Sequence, residues 1–194
     1  MNNSAFYAYL RKRQSGVFGT RLTEGQVAGI NLILSECRYF SADLGQTAYT
    51  LATGYGETGG RMQPVRENMN YSAKTVSKHF GAHRRQGKTP AQLARNPKLL
   101  ANTVYGGEWG LKHLGNRVGT DDGWNFRGAL TGQMTGLRNF SKFGNRLGVD
   151  FIGNPELLDD PLMGARSLVQ PMLEGWATGH KLGAYVSGSN RNYL

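Results

Sequence analysis

The stretch from Gln46 to Ser72 constrains the fold of this chain most strongly, because it begins as a helix and is then broken. Four apolar positions recur at helical spacing and predict a helix with one buried stripe: Ala48, Leu51, Ala52 and Tyr55. The pair Gly59-Gly60 frees the backbone from helical geometry, and Pro64 blocks a return to it. The sequence therefore predicts a helix that ends in a turn.

Two glutamates flank this turn, Glu57 before it and Glu67 after it. In a straight helix their separation of ten residues would place them roughly 15 Å apart along the axis, too far to act on one bond. The glycine and proline breaks let the chain fold back, so that Glu67 can face Glu57 across a cleft. Two carboxyl groups across a sugar linkage can act as acid and base in glycoside hydrolysis. The structural alternative is that both glutamates only cap a helix or pair with neighbouring arginines.

The charge of the chain bears on its partners. Its 194 residues, enough for one domain or one domain with two lobes, carry a formal net charge of +10. This sign favours a polyanionic partner, such as nucleic acid, anionic lipid or an anionic cell-wall polymer. The basic clusters at Arg11–Arg13 and Arg84-Arg85 are short and nucleic-acid-binding motifs are missing, so we expect no nucleic-acid partner. A basic surface that serves only solubility stays open as the alternative.

Several sequence features bear on compartment and cofactors. No apolar run is long enough for a transmembrane helix, so we expect no stable membrane insertion. The N-terminus lacks the apolar core of a signal peptide, and the single cysteine, Cys37, excludes an internal disulfide. We therefore expect synthesis in a reducing cytoplasm. His79 and His83 have the spacing of metal ligands but no acidic or cysteine partner near by, so we expect no metal and no cofactor.

Helix start signals recur along the chain. Thr23 with Gln26 predicts a capping box, and Ser72 predicts the cap of a further helix. The segment from Gly106 to Gly136 contains nine glycines and two tryptophans and shows no clear helical period. We predict a mainly α fold, with one small hairpin within this glycine-rich segment.

The glutamate stretch resembles a known family. Residues 48–67 read AYTLATGYGETGGRMQPVRE. They are similar to the first motif of the family 19 glycoside hydrolases in the branch used by bacteriophage endolysins, which reads roughly A-Y-x-L-A-T-x-x-H-E-T-x-x-x-M-x-P-x-x-E. The spacing of the two glutamates matches.

A second block resembles the same family. Its members carry L-A-N-x-x-Y, G-N and D-G-W-x-Y-R-G in this order, and the chain has LANTVY at 100–105, GN at 115–116 and DGWNFRG at 122–128. Gln133, Thr135, Gly136 and Asn139 follow where the family has Q-x-T-G-x-x-N-Y. The similarity extends over nearly the whole chain.

The resemblance implies a lysozyme-like fold of two lobes with a central cleft. It implies one catalytic domain over residues 1–194, with residues 73–105 as a smaller lobe or an excursion. It assigns Glu57 as general acid, Glu67 as general base and Thr135 as a residue that holds the attacking water. The substrate-binding residues that we expect are Gln133, Asn139, Tyr71, Trp124, Asn70 and Arg127.

The resemblance also implies a biological setting. The substrate would be peptidoglycan, cut at β-1,4 glycosidic bonds with inversion, by a monomer. The enzyme would accumulate in the host cytoplasm and reach the cell wall or periplasm after a holin permeabilises the membrane.

Three departures from the family pattern keep alternatives open. Gly56 replaces the histidine before the first glutamate, residues 129–132 replace an Arg-Gly and two apolar residues, and the chain ends at Leu194 before a cleft-lining stretch. One alternative is a catalytically weakened wall-binding or virion protein. Another is a chitinase that acts on uncharged N-acetylglucosamine polymers.

Overall fold

The structure is a computed structural model that describes residues 3–176, 179–187 and 190–191, so Leu194 lies outside the described part. Within these residues the protein is mainly helical, as predicted. The described α-helices are α1 (Asn3–Leu10), α2 (Glu24–Tyr39), α3 (Leu44–Glu57), α4 (Ala73–His79), α5 (Pro90–Leu93), α6 (Pro97–Val104), α7 (Gly107–Leu114), α8 (Asp122–Asn125), α9 (Leu137–Leu147) and α10 (Pro161–Glu174). Short 3-10 helices cover Arg13–Ser15, Ala82–Arg84, Pro155–Asp159 and Leu182–Ala184, and the strands β1 (Val186–Ser187) and β2 (Asn190–Arg191) pair antiparallel.

Side-chain caps begin the main helices. The predicted capping box of α2 is confirmed, because Thr23 accepts from the backbone of Gln26 and Gln26 accepts from the backbone of Thr23. Asp43 and Gln46 form the same box at α3, which was not predicted. Ser72 caps α4, as predicted. None of the helices in the described ranges is long and apolar enough to cross a membrane.

The glycine-rich segment contains more helix than predicted. It includes α7 and α8, which are short and carry the two tryptophans. The predicted hairpin is reduced to one antiparallel bridge, in which Ala129 and Met134 exchange backbone hydrogen bonds of 3.0 Å and 3.1 Å. Leu130 and Gln133 have positive φ at the ends of the intervening loop, which turns the chain tightly.

The chain forms two compact units, of which the first comprises Met1–Pro64 and Pro161–Leu194. Helix α2 packs against both α10 and α3 in this unit. A Cβ at Gly29 would overlap the carbonyl oxygen of Met62, so α2 meets the turn after α3 at backbone distance. Cys37 is buried, as predicted. The core residues are Ile30, Ile33, Leu34, Cys37, Met62, Ala165, Leu168 and Val169.

The buried face of α3 differs from the prediction. The stripe of Ala48, Leu51, Ala52 and Tyr55 was expected to be buried, but both alanines and Tyr55 are exposed and Leu51 is half-buried. The core face instead carries Thr47, Thr50 and Gly54. The prediction was wrong because a buried threonine can satisfy its own hydroxyl, as Thr50 does by donating to the carbonyl of Gln46 at 2.8 Å.

The second unit is Val65–Asp160. One core lies between α4, α5 and α6 and contains Met69, Val76, Phe80, Leu93, Leu100, Ala101 and Val104. Phe126, Phe140, Phe143, Phe151 and Leu158 are also buried in this unit. Residues 73–105 lie within it, and their role as a smaller lobe stays a prediction, as does the single catalytic domain over residues 1–194.

Candidate active site

Glu57 is the last residue of α3, and its side chain is exposed. The helix end is anchored directly after it, because the buried hydroxyl of Thr58 donates to the carbonyl of Gly54 at 2.7 Å. The same hydroxyl accepts from the backbone N–H of Met62 at 2.9 Å, and Met62 lies in the core. Glu57 therefore stands in solvent on a helix end that buried contacts fix in place.

The predicted turn after Glu57 is present. Gly59 and Gly60 have φ angles of 57° and 78°, in the left-handed region that glycine adopts without strain. Met62, which follows in the same turn, also has a positive φ of 58°. The side-chain amide of Gln26 donates to the carbonyl of Gly60 at 2.9 Å and ties the turn to α2. Glu57 belongs to the first unit and Glu67 to the second, and their pairing across a cleft stays a prediction.

The backbone of Glu67 is held by the segment around Gly128. The N–H of Glu67 donates to the carbonyl of Gly128 at 2.7 Å. The side chain of Arg127 donates through Nε to the carbonyl of Glu67 at 3.1 Å. Both backbone groups of Glu67 are therefore fixed, although the residue lies in a segment without regular secondary structure.

Two tyrosines bind the carboxylate of Glu67. The hydroxyl of Tyr105 donates to both oxygens, at 3.0 Å to Oε1 and 2.8 Å to Oε2. The hydroxyl of Tyr71 is 3.4 Å from Oε1 and donates more weakly. A carboxylate has about four lone-pair positions, so Glu67 keeps capacity to accept a hydrogen bond from water.

Tyr105 directly follows α6, and its side chain is half-buried. Burial raises the pKa of Tyr105, and the negative charge of Glu67 raises it further. The phenol therefore stays protonated and remains a hydrogen-bond donor to Glu67 throughout the neutral range.

An arginine is packed on this tyrosine. The guanidinium of Arg84 lies 5.2 Å from the ring centroid of Tyr105, 4.1 Å from that of Trp109 and 5.1 Å from that of Phe80. Its Nε donates to the carbonyl of Val104 at 3.1 Å. Burial lowers the pKa of Arg84, and Tyr105 and Glu67 partly offset this effect. The cation thus supports the Tyr105 ring from an aromatic cluster.

Gly128 leaves room between two predicted site residues. A Cβ at Gly128 would lie 3.2 Å from Oε1 of Gln133 and 3.3 Å from Cβ of Glu67. The side-chain amide of Gln133 donates to the carbonyls of Val65 and Leu130, at 2.9 Å and 3.0 Å. Gln133 and Glu67 therefore flank the same glycine.

Arg127 and Trp124 form a second stacked pair. The guanidinium of Arg127 lies 3.6 Å from the Trp124 ring centroid, and it donates to the Trp124 carbonyl at 2.7 Å. Burial lowers the pKa of Arg127, and the like charge of Arg66 adds to this effect. Trp124 is thereby linked through Arg127 to the backbone of Glu67.

Three other predicted site residues form hydrogen bonds with groups other than this carboxylate. Asn139 donates from its side-chain amide to the carbonyl of Thr135 at 2.8 Å, so these two residues form a local pair at the start of α9. Asn70 is exposed, and its carbonyl accepts from Arg95 at 3.3 Å. In the part of the chain that the structure describes, no hydrogen bond joins these three residues to the Glu67 carboxylate.

Two residues of this site were not predicted from the sequence: Tyr105, which binds the carboxylate, and Arg84, which packs on Tyr105. Tyr105 belongs to the segment at 100–105 that matched the family pattern, which was the available signal. No sequence signal identified Arg84, because its partners are aromatic rings that only the folded chain brings together. Among residues 3–176, 179–187 and 190–191, no group of three His, Cys, Asp or Glu side chains is placed to hold a metal ion.

Comparison with known proteins gives one informative relative. No protein-family model matches the chain. The chain is similar to a Haemophilus influenzae protein named as a glycosyl hydrolase family 19 domain-containing protein, with 35% identity over 106 residues. The match covers 54% of this chain and 50% of that protein, so the chain spans about half the length of the curated relative that it matches. The chain thus shares a stretch of clear similarity with a protein named for a family 19 glycosyl hydrolase domain.

Proposed function

We propose that the chain is a glycoside hydrolase in which Glu67 acts as the general base. The observation that carries this proposal is the binding of both Glu67 oxygens by the hydroxyl of Tyr105. A general base must be held in one orientation while still able to take a proton from water, and two neutral phenols achieve this without adding a positive charge. The relative named for a family 19 glycosyl hydrolase domain supports the same class of reaction.

In this proposal Glu57 is the general acid and protonates the leaving oxygen of the sugar. Its exposed position on an anchored helix end suits a group that must meet a polymer from solvent. Glu67 removes a proton from a water molecule that attacks the opposite face of the sugar. Such an inverting reaction requires carboxyl groups about 6.5–9.5 Å apart. Thr135 would hold the attacking water.

The remaining predicted residues would bind sugars. Gln133 lies next to Glu67 across Gly128, and the half-buried Trp124, stacked on Arg127, would contribute the exposed part of its ring. Tyr71 contributes through its hydroxyl, while Asn139 and Asn70 offer exposed amides.

We propose peptidoglycan as the substrate, cut at its β-1,4 bonds, because the wall is anionic and the chain has a net charge of +10. The setting would be that of an endolysin: a monomer made in the host cytoplasm that reaches the wall after a holin permeabilises the membrane. Chitin, an uncharged polymer, is the second candidate substrate, because the same two-carboxylate reaction would cleave its glycosidic bonds.

The test is digestion of purified peptidoglycan by wild type, Glu67→Gln and Glu57→Gln. Reducing ends and muropeptides are measured by a colorimetric assay and mass spectrometry. Loss of a general acid or base should lower kcat by roughly 100- to 10,000-fold in each variant. Glu174→Gln alters an exposed glutamate at the end of α10 and should retain activity.

Four outcomes would count against parts of this proposal. Wild-type protein that pellets with walls but releases no reducing ends would indicate a wall-binding protein. Full activity of Glu67→Gln would remove the base assignment. Faster cleavage of chitin oligomers than of muropeptides would indicate chitin as the substrate. Retention of the anomeric configuration in fresh products, measured by proton NMR, would contradict the inverting mechanism.

A further inference from the structure

The first compact unit carries an open apolar groove of about 570 Å³ that the proposed reaction does not use. Helix α1 forms one wall with Phe6 and Leu10, and α3 forms the other with Ala48, Ala52 and Tyr55. The volume falls within the range of about 300–1,000 Å³ that is typical of small-molecule sites.

The groove exists because of the unexpected orientation of α3. Its threonine face is in the core, so its apolar stripe faces outward into the groove. Ala48 and Ala52 are exposed and short, which leaves space beside the helix. Leu51 also packs against the core, whereas Ala48, Ala52 and Tyr55 leave apolar surface exposed, which is typical of a binding surface.

Hydrogen bonds fix the walls of the groove. The hydroxyl of Tyr55 donates to the carbonyl of Val17 at 2.8 Å and joins α3 to the segment after α1. The hydroxyl of Tyr7 donates to Oδ1 of Asn31 at 2.7 Å and joins α1 to α2. The groove is therefore pre-formed, and a ligand would not have to order its walls.

Positive charge lies at one part of the rim. The run Arg11–Arg13 is bracketed by Leu10 and Ser15, which both line the groove. All three side chains are exposed, and within the described ranges none forms an ion pair. Tyr9 is 59% exposed beside them, with Nζ of Lys12 at 5.8 Å from its ring centroid. Three basic groups thus adjoin an apolar groove.

We propose that the groove binds one acyl chain of an anionic membrane phospholipid and that Arg11–Arg13 bind its phosphate headgroup. This inference is independent of the proposed hydrolase activity. The combination of an apolar channel and unpaired cations complements an amphiphile with a negative head. A sugar would find few polar partners in the groove, and a second copy would bring a like charge of +10.

Both parts of the site should contribute measurably. Each methylene buried from water strengthens binding about fourfold. Each basic residue close to an anionic bilayer strengthens it about fivefold. The protein should therefore bind membranes reversibly, as a peripheral protein does.

The test is flotation with vesicles of phosphatidylcholine that contain or lack phosphatidylglycerol. Wild type should float only with phosphatidylglycerol present. Ala52→Phe and, separately, Ala48→Phe fill the groove from exposed positions and should weaken partition roughly tenfold or more. Replacing Arg11, Lys12 and Arg13 together by alanine should weaken it about 100-fold.

Matched controls separate the site from bulk properties. Ala28→Phe adds the same ring at an exposed alanine of α2 outside the groove and should bind as wild type does. Replacing Lys112, Lys142 and Lys181 by alanine also lowers the formal charge from +10 to +7 (10 − 3) and should have a much smaller effect than the Arg11–Arg13 change.

A measurement on unaltered protein avoids any folding defect of the variants. Dodecyl phosphate should shift the NMR methyl signals of Ile30, Leu51 and Met62, whereas inorganic phosphate should not. Membrane binding of Ala52→Phe and Ala48→Phe equal to that of wild type would overturn the assignment. An equal loss of binding in the Arg11–Arg13 variant and in the variant of Lys112, Lys142 and Lys181 would also overturn it, as would methyl signals that do not respond to dodecyl phosphate. A wild-type dimer that Ala52→Phe dissociates would assign the groove to a second copy and also overturn it.

Discussion

The hydroxyl of Tyr105 donates to both carboxylate oxygens of Glu67, at 3.0 Å and 2.8 Å. This bond joins residues 38 positions apart, from the end of α6 to a segment without regular structure. The orientation of the Glu67 carboxylate therefore depends on α6 and on the aromatic cluster that holds Tyr105.

Tyr105→Phe should lower kcat roughly 10- to 100-fold, with little change in KM. Loss of a hydrogen bond to a charged group costs about 1.5–3 kcal/mol, and the ring itself stays in place. The measurement is initial-rate kinetics on soluble peptidoglycan fragments, with circular dichroism to confirm the fold.

Tyr71→Phe is the matched control for this prediction. Its hydroxyl lies 3.4 Å from Oε1 of Glu67, so its removal should reduce kcat by a smaller factor. Equal losses in both variants, or full activity of Tyr105→Phe, would show that the short bond does not orient the base.

Gly29→Ala should destabilise the protein by about 1–3 kcal/mol, because its Cβ would overlap the carbonyl of Met62 and α2 would have to move from the turn. Activity should fall as well, since that turn follows Glu57 directly. The measurement is urea unfolding followed by circular dichroism.

Gly56→Ala is the control for backbone entropy alone. It also adds one methyl group to a helix, but nothing lies within 4 Å of its Cβ. It should stabilise the protein by roughly 0.5–1 kcal/mol. If both alanine variants changed stability in the same direction, close approach at Gly29 would not explain the effect.

Asp122→Asn should lower the free energy of unfolding by about 1–3 kcal/mol at neutral pH, because the side chain of Asp122 is only 2% exposed and binds Arg117 through both oxygens. Burial alone would raise the pKa of Asp122, but the hydrogen bonds from Arg117 outweigh it, so the pKa lies below its usual value. A folded pKa below the unfolded value of about 3.9 gives stability that is present above that value.

This contribution should disappear as the pH falls through the folded pKa of Asp122. The unfolding free energies of wild type and Asp122→Asn should therefore converge between about pH 4 and pH 2. Asp121→Asn, which alters an exposed partner of Lys98, should change little. A gap between wild type and Asp122→Asn that stays constant down to pH 2 would contradict the assignment.

Local signals predicted those parts of the fold that depend on local interactions. The capping box of Thr23 and Gln26 involves residues three apart, and it formed as predicted. The buried face of α3 was predicted wrongly. Whether Leu51 or Thr50 enters the core depends on how α3 packs against α2 and α10, which are distant in sequence. Thr50 and Thr58 bond their own helix carbonyls, so polarity did not keep them at the surface.

The candidate site, too, could be predicted from the sequence only where it depends on local spacing. The motif around residues 57–67 identified two carboxylates, but the surroundings of Glu67 come from distant segments. Gly128 gives space beside the Glu67 side chain, and Arg84 contacts the Tyr105 ring near the place where α6 and α7 pack together. No spacing in the sequence specifies such contacts between separate elements.

The net charge of +10 should make lysis of whole walls sensitive to salt. Attraction between exposed charges acts over a Debye length of about 8 Å at physiological ionic strength and weakens as salt rises. The lytic rate on intact walls should therefore fall as sodium chloride increases, because encounter with the anionic polymer slows. Cleavage of a small neutral fragment should change much less, since its encounter does not depend on charge.

The measurement is turbidity loss of permeabilised bacteria beside fragment hydrolysis over the same salt series. Equal salt sensitivity of the two reactions would show that the basic surface does not steer the protein to the wall, and would leave solubility as its role.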